Sequence, residues 1–244
     1  MSGKFLVGTS GWSYPHWKGT FYPDDLPKSR WFEYYASVFP TVEVNATFYR
    51  RFKDKTFENW RDKVPGHFRY VLKAPKPITH VKYLEDAETE IKEFWRQATI
   101  LGERLGLILL QLAPKTPYDP ERLRRALEAF GDPSKVAVEF RNKQWLCDEV
   151  KALLTNMNVP FCSADSPKTK LLDWTTSTYA AYIRLHGRKR WYSYDYSDDE
   201  LREIAELARR MGERAESVYI FFNNDIGGYA TKNALKLMEL LGVR

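Results

Sequence analysis

Cysteine is scarce in this chain: Cys147 and Cys162 are the only two among 244 residues. Two thiols cannot build a disulfide framework or a four-thiolate metal site, so a reduced, cytoplasmic chain is expected. Histidine is also sparse, with four residues and no H-E-x-x-H pair, which removes the helical zinc-protease signature. No G-x-G-x-x-G follows the first expected strand, so the dinucleotide fingerprint is missing. Long apolar runs are absent. The longest, residues 105–110, contains a glycine and falls far short of the ~18 residues of a membrane span. The opening MSGKFLVGTS has no extended apolar segment, so no secretory signal is expected. No repeat, Ser/Gly-rich linker or long single-sign block divides the sequence, and a single domain over 1–244 is expected.

What is present is apolar mass and aromatic side chains. Hydrophobic residues make up 43% and aromatics 15%, enough for a sizeable core and too much for a disordered chain. Many of the 8 Trp, 15 Tyr and 14 Phe sit beside Gly, Pro or charged residues, the pattern of an aromatic-lined cleft. The net charge of +6 fits an anionic partner such as nucleic acid, a phosphorylated metabolite or an acidic surface, but on charge alone a well-solvated basic enzyme fits slightly better.

Periodicity alternates short apolar runs with amphipathic segments. Strands are expected at 5–8, 41–45, 68–73, 107–112, 136–140, 160–164, 179–185 and 218–222. Helices are expected at 31–38, 55–63, 85–104, 120–129, 149–156, 197–210 and 229–241. Asp119 before Pro120 marks one helix start, and Ser197 followed by three acids marks another. Residues 166–177 carry no helical pattern. The expected fold is α/β, a TIM-barrel-like (β/α)8 domain with a degenerate or missing helix after strand six. Its length suits that class.

Barrel enzymes carry their chemistry at the C-terminal ends of the strands. Those ends hold Glu43 and Asn45, Lys73, Gln111, Glu139 and Arg141, Asp165, Arg184 and His186, then Asn223 and Asn224. Glu43/Asn45, Glu139/Arg141 and Arg184/His186 share an i, i+2 spacing, so each pair shares a strand face. Buried polar groups cost several kcal/mol unless paired or used. Glu43, Glu139, Lys73, Arg141, Arg184 and His186 are therefore the catalytic candidates, against the alternative of a salt-bridge cluster tying the mouth together. Glu43, Glu139, Asp165 and His186 are also ligand types for Mg²⁺, Mn²⁺ or Zn²⁺. A divalent metal is a candidate cofactor, although no local spacing motif joins these four.

Binding residues follow from the loops. Trp12, Tyr49 and Trp145 are candidates to stack on a base or sugar, with Asn45, His80, Gln111 and Asp165 nearby in the strand-end loops. The first loop's other aromatics fit either a stacking wall or packing against the rim. Arg188, Lys189 and Arg190 precede Trp191 and Tyr192, a composition for phosphate contacts plus stacking. Asn223, Asn224, Gly227 and Gly228 lead into a helix whose first amides can meet an anion.

Seven segments carry a resemblance. They are GTSGWSYPHWKGTFYP at 8–23, TVEVNATFYR at 41–50, LKAPKPITH at 72–80, LLQLAP at 109–114, VEFRNKQW at 138–145, YIRLHG at 182–187 and FFNNDIGGYATKNA at 221–234. Together they resemble the YecE-like family of uncharacterised proteins. The resemblance implies a TIM-barrel-like fold and supplies no substrate, reaction or catalytic residue. The residues themselves point to a hydrolase acting on a phosphate-bearing substrate, with DNA or RNA foremost. The alternatives are a carbohydrate-active enzyme using Glu43 and Glu139 and a non-catalytic nucleic-acid-binding protein.

Overall fold

A computed structural model describes residues 3–244. Eight strands alternate with helices, in the α/β, TIM-barrel-like class. They are β1 (Lys4–Ser10), β2 (Thr41–Val44), β3 (Arg69–Lys73), β4 (Leu105–Gln111), β5 (Val136–Glu139), β6 (Cys162–Asp165), β7 (Ala180–Leu185) and β8 (Ser217–Phe222). The α-helices are α1 (Trp31–Val38), α2 (Ala46–Tyr49), α3 (Asp54–Asp62), α4 (Glu88–Thr99), α5 (Pro120–Glu128), α6 (Asp148–Asn156), α7 (Asp198–Gly212) and α8 (Tyr229–Leu241). No helix lies between β6 and β7, as the sequence pattern predicts.

The chain divides into two compact units. One takes residues up to Glu43, with Ser163–Thr175 and Ala180–Arg244. In it β1 pairs in parallel with β2 and β8, and β8 with β7. The registers place Ser10 opposite Glu43 and Arg184 opposite Phe221. The first-loop aromatics pack inward here. Trp17 is buried, and Tyr22 stacks on Trp31 with ring centroids 4.8 Å apart. Ser197 and Glu200 form a reciprocal capping box that starts α7, worth about 0.5–2 kcal/mol.

The other unit takes Val44–Cys162 and Thr176–Tyr179. In it β4 pairs in parallel with β3 and β5. All seven residues of β4 are buried, which is why its sequence is almost wholly apolar rather than alternating. The Asp119 carboxylate accepts a hydrogen bond from the Arg122 amide to start α5, with Pro120 in the first turn.

The expected helix over residues 85–104 is shorter than its sequence pattern. Tyr83, Leu84 and Asp86 have positive φ, and so has Gly102. A left-handed residue ends helical propagation, so α4 is confined between them.

Candidate functional site

Glu43 is wholly buried on β2. Its Oε1 accepts from Ser10 Oγ at 2.7 Å and from Arg184 Nη2 at 2.7 Å, and its Oε2 accepts from Tyr182 Oη at 2.6 Å. Tyr182 and Arg184 are two residues apart on β7, so one strand face delivers both. Burial pushes the Glu43 carboxyl up, but the Arg184 charge and these hydrogen bonds outweigh it and hold it below the ordinary value. The carboxylate is ionised and saturated with donors.

The same unit holds the basic loop. Asp165, last residue of β6, pairs with Arg188 Nε at 3.2 Å. Burial raises the Asp165 carboxyl, and the Arg188 hydrogen bond only partly offsets it. Arg188 Nη1 also meets Glu203 at 3.0 Å and Glu200 at 3.4 Å. Three acids thus neutralise the arginine expected to hold phosphate. Lys189 and Arg190 are exposed. The turn that presents them needs Gly187. Its φ is +106°, and a Cβ there would lie 2.2 Å from the Arg190 carbonyl oxygen.

The loop after β8 is mostly self-satisfied. Asn223 Nδ2 lies 3.0 Å from His186 Nδ1. Asn224 is buried and donates to the Tyr194 carbonyl and to Asn233 Oδ1, which corrects its expected place at the substrate. Gly227 is exposed, while the Gly228 amide donates to the Asp225 carbonyl rather than facing outward. Trp12 is half-buried, with its ring 4.7 Å from that of Phe32.

In the second unit, three neighbouring strands end on polar residues: Lys73, Gln111 and Glu139. Buried Glu139 accepts from Gln111 Nε2 at 2.9 Å and forms an ion pair with Arg141. Lys73 Nζ lies 4.2 Å from the centroid of the Phe48 ring. His80 meets the same ring edge-on at 4.9 Å, with Thr79 Oγ1 2.8 Å from its Nδ1. Burial, then the charges of Lys73, Lys76 and Arg141, hold the imidazole below its usual pKa. The charges that lower it are all positive.

Asn45 opens α2, and Tyr49 ends it 76% exposed. Trp145 departs from expectation. It is 1% exposed and stacked on Phe140 at 5.2 Å, so its faces are closed to a substrate.

The structure brings together Glu43 with Arg184, Asp165 with Arg188, and His186 with Asn223 in one unit. In the other it brings together Gln111, Glu139 and Arg141, and sets Lys73 and His80 on Phe48. Among the described residues, no group of three or more His, Cys, Asp or Glu is placed to hold a metal ion. No helix among them is long and apolar enough to cross a membrane. Sequence reasoning missed Ser10, Tyr182 and Phe48. Tyr182 was findable, because stepping the i, i+2 rule back once from Arg184 reaches it.

The profile of the family described as "Protein of unknown function DUF72" matches residues 6–244. A crystal structure of a DUF72 family protein from Thermotoga maritima MSB8 has 32% sequence identity and a TM-score of 0.89, covering 98% of this chain and 99% of that one. One from Enterococcus faecalis V583 has 22% identity and a TM-score of 0.85, covering 98% and 96%. That second likeness speaks for the fold alone. The UPF0759 protein YunF of Bacillus subtilis (strain 168) is 24% identical over 271 residues, 97% of this chain and 94% of that protein.

Proposed function

The chain belongs to the DUF72 family of proteins of unknown function, and we propose that it is a hydrolase of phosphate-bearing substrates, nuclease-like, with DNA and RNA the first to test. Within the family, the seven segments quoted above support a YecE-like assignment. The observation that carries the functional reading is the placement of Lys73 and His80 against one ring, that of Phe48, at 4.2 Å and 4.9 Å from its centroid. Burial, and after it the charges of Lys73, Lys76 and Arg141, lower the pKa of the His80 imidazole. Cationic side chains beside a partly buried imidazole suit an anionic substrate group.

In this reading Lys73 and Arg141 meet the phosphoryl oxygens and stabilise charge in the transition state. Glu139 and Gln111 orient Arg141 from behind. With Nδ1–H donating to Thr79 Oγ1, His80 Nε2 is left to take the proton of the attacking water. The oxygen of that water bonds to phosphorus as the leaving P–O bond breaks, and the leaving oxygen takes a proton from bulk water. Glu43, ionised and held by three donors, acts as an anchor rather than a proton donor. That leaves the two-glutamate sugar chemistry without its acid on this side. The free thiols Cys147 and Cys162 support a cytoplasmic setting.

The test is cleavage of labelled single- and double-stranded DNA and RNA, with Mg²⁺, Mn²⁺, Zn²⁺ or chelator, beside H80Q and E139Q. Cleavage lost in both variants supports the reading, and the chelator lane assigns any metal requirement. Salt-sensitive binding without cleavage would make it a binding protein instead. The absence of both binding and cleavage would remove nucleic acid from consideration.

A further inference from the structure

Phe48 borders two features. One is the Lys73–His80 pair just described. The other is a cavity of about 240 Å³ that the same ring lines. The walls of the cavity include Tyr49, Phe52, Phe57, Phe94 and Pro77 beside Phe48. Pro77 opens the turn that carries His80, and Thr47, also on the wall, donates to the Lys73 carbonyl at 2.7 Å. The cavity and the Lys73–His80 pair are therefore joined by short links along the chain and one hydrogen bond.

The chemistry of the lining is specific. The Arg50 guanidinium lies 4.7 Å from the Phe52 ring centroid, and Arg51 stands beside it on the rim. Glu90, ion-paired with Lys82 at 2.8 Å, adds a carboxylate to the wall. Tyr49 leaves 76% of its surface to solvent. Aromatic faces with arginine beside them bind flat, electron-rich rings by stacking and cation–π contact. A carboxylate at the edge can accept from a ring amino group. The volume is below the ~300 Å³ at which drug-sized pockets begin, so it suits one ring system and little more.

We propose that this cavity takes a nucleobase, with the phosphate of the same nucleotide against Lys73 and His80. The inference rests on the phosphate reading above and names the part of the substrate that reading leaves open. A base stacked in a duplex cannot enter such a cavity, so the substrate is single-stranded or presents an unstacked nucleotide.

The experiment titrates the full chain by calorimetry with adenosine 5′-monophosphate and with ribose 5-phosphate, which lacks the base. The nucleotide should bind about tenfold tighter, the scale of one stacked base. Tyr49→Ala and Phe52→Leu should both erase that advantage while leaving ribose 5-phosphate binding unchanged. Tyr49→Ala alters an exposed side chain, so its result does not hinge on folding. Equal affinity of the two ligands for the unaltered protein would overturn the base pocket and leave the phosphate reading standing, as would an advantage that survives both variants. Failure of both ligands to bind would overturn the phosphate reading and the pocket with it.

Discussion

Arg184 and Glu43 form a 2.7 Å ion pair whose side chains are 2% and 0% exposed. Few arrangements in a protein are as costly to assemble or as costly to break. Desolvating both charges is repaid only when the remaining lone pairs find donors, and Ser10 and Tyr182 supply them. Removing one partner leaves an uncompensated buried charge. Arg184→Met should therefore lose about 3–5 kcal/mol of stability. The double variant Glu43→Gln with Arg184→Met should recover part of that loss. Urea unfolding measures both. A single variant as stable as the parent would mean that the pair is not ionised as the geometry describes.

The same carboxylate gives the fold an acid limit. Its folded pKa lies below its unfolded value. Its contribution is complete above the ordinary carboxylate pKa and is lost as pH falls through the depressed folded value. The parent protein should lose stability across that interval more steeply than the Glu43→Gln, Arg184→Met double variant. Parallel stability curves in acid would show that Glu43 does not carry the dependence.

These groups were only partly legible in the sequence. Strand ends were, because an apolar run that closes on Lys73, Gln111 or Glu139 marks its own boundary. The pairing of Glu43 with Ser10 was not, since it depends on which residues β1 and β2 set opposite each other. Arg188 looked like a free phosphate ligand because its neutralising acids come from β6 and α7, 12 or more positions away. Trp145 looked like a platform because sequence cannot say which face of a ring is already covered. The cavity beside Phe48 draws on α2, α3, α4 and the turn after β3, with no shared motif.

His80 should report its cationic surround directly. Burial and then Lys73, Lys76 and Arg141 lower its pKa. Between the ordinary imidazole value and the depressed one, the unfolded chain binds a proton that the folded chain refuses. Stability therefore falls as pH drops through that window. Lys73→Met should raise the His80 pKa, and bound inorganic phosphate should raise it in the parent. Imidazole resonances followed by NMR, assigned with His80→Gln, measure both shifts. Unchanged titration in both cases would break the link between Lys73, His80 and an anion.

The basic loop makes a separate prediction about salt. Each lysine or arginine that replaces a counterion on nucleic acid steepens the decline of log affinity with log salt by about one. Arg188 already faces Asp165, Glu200 and Glu203, so its charge is largely spent before any ligand arrives. Lys189 and Arg190 are exposed on the turn that Gly187 forms. If the loop meets the phosphate backbone, replacing both with Gln should reduce the salt slope by about two. Arg188→Gln should change the slope little and cost folding stability instead, because it strands buried Asp165. Oligonucleotide binding at several salt concentrations, alongside thermal unfolding, separates the two effects. A slope that depends on Arg188 rather than on its two neighbours would mean that the acids release it when the ligand binds.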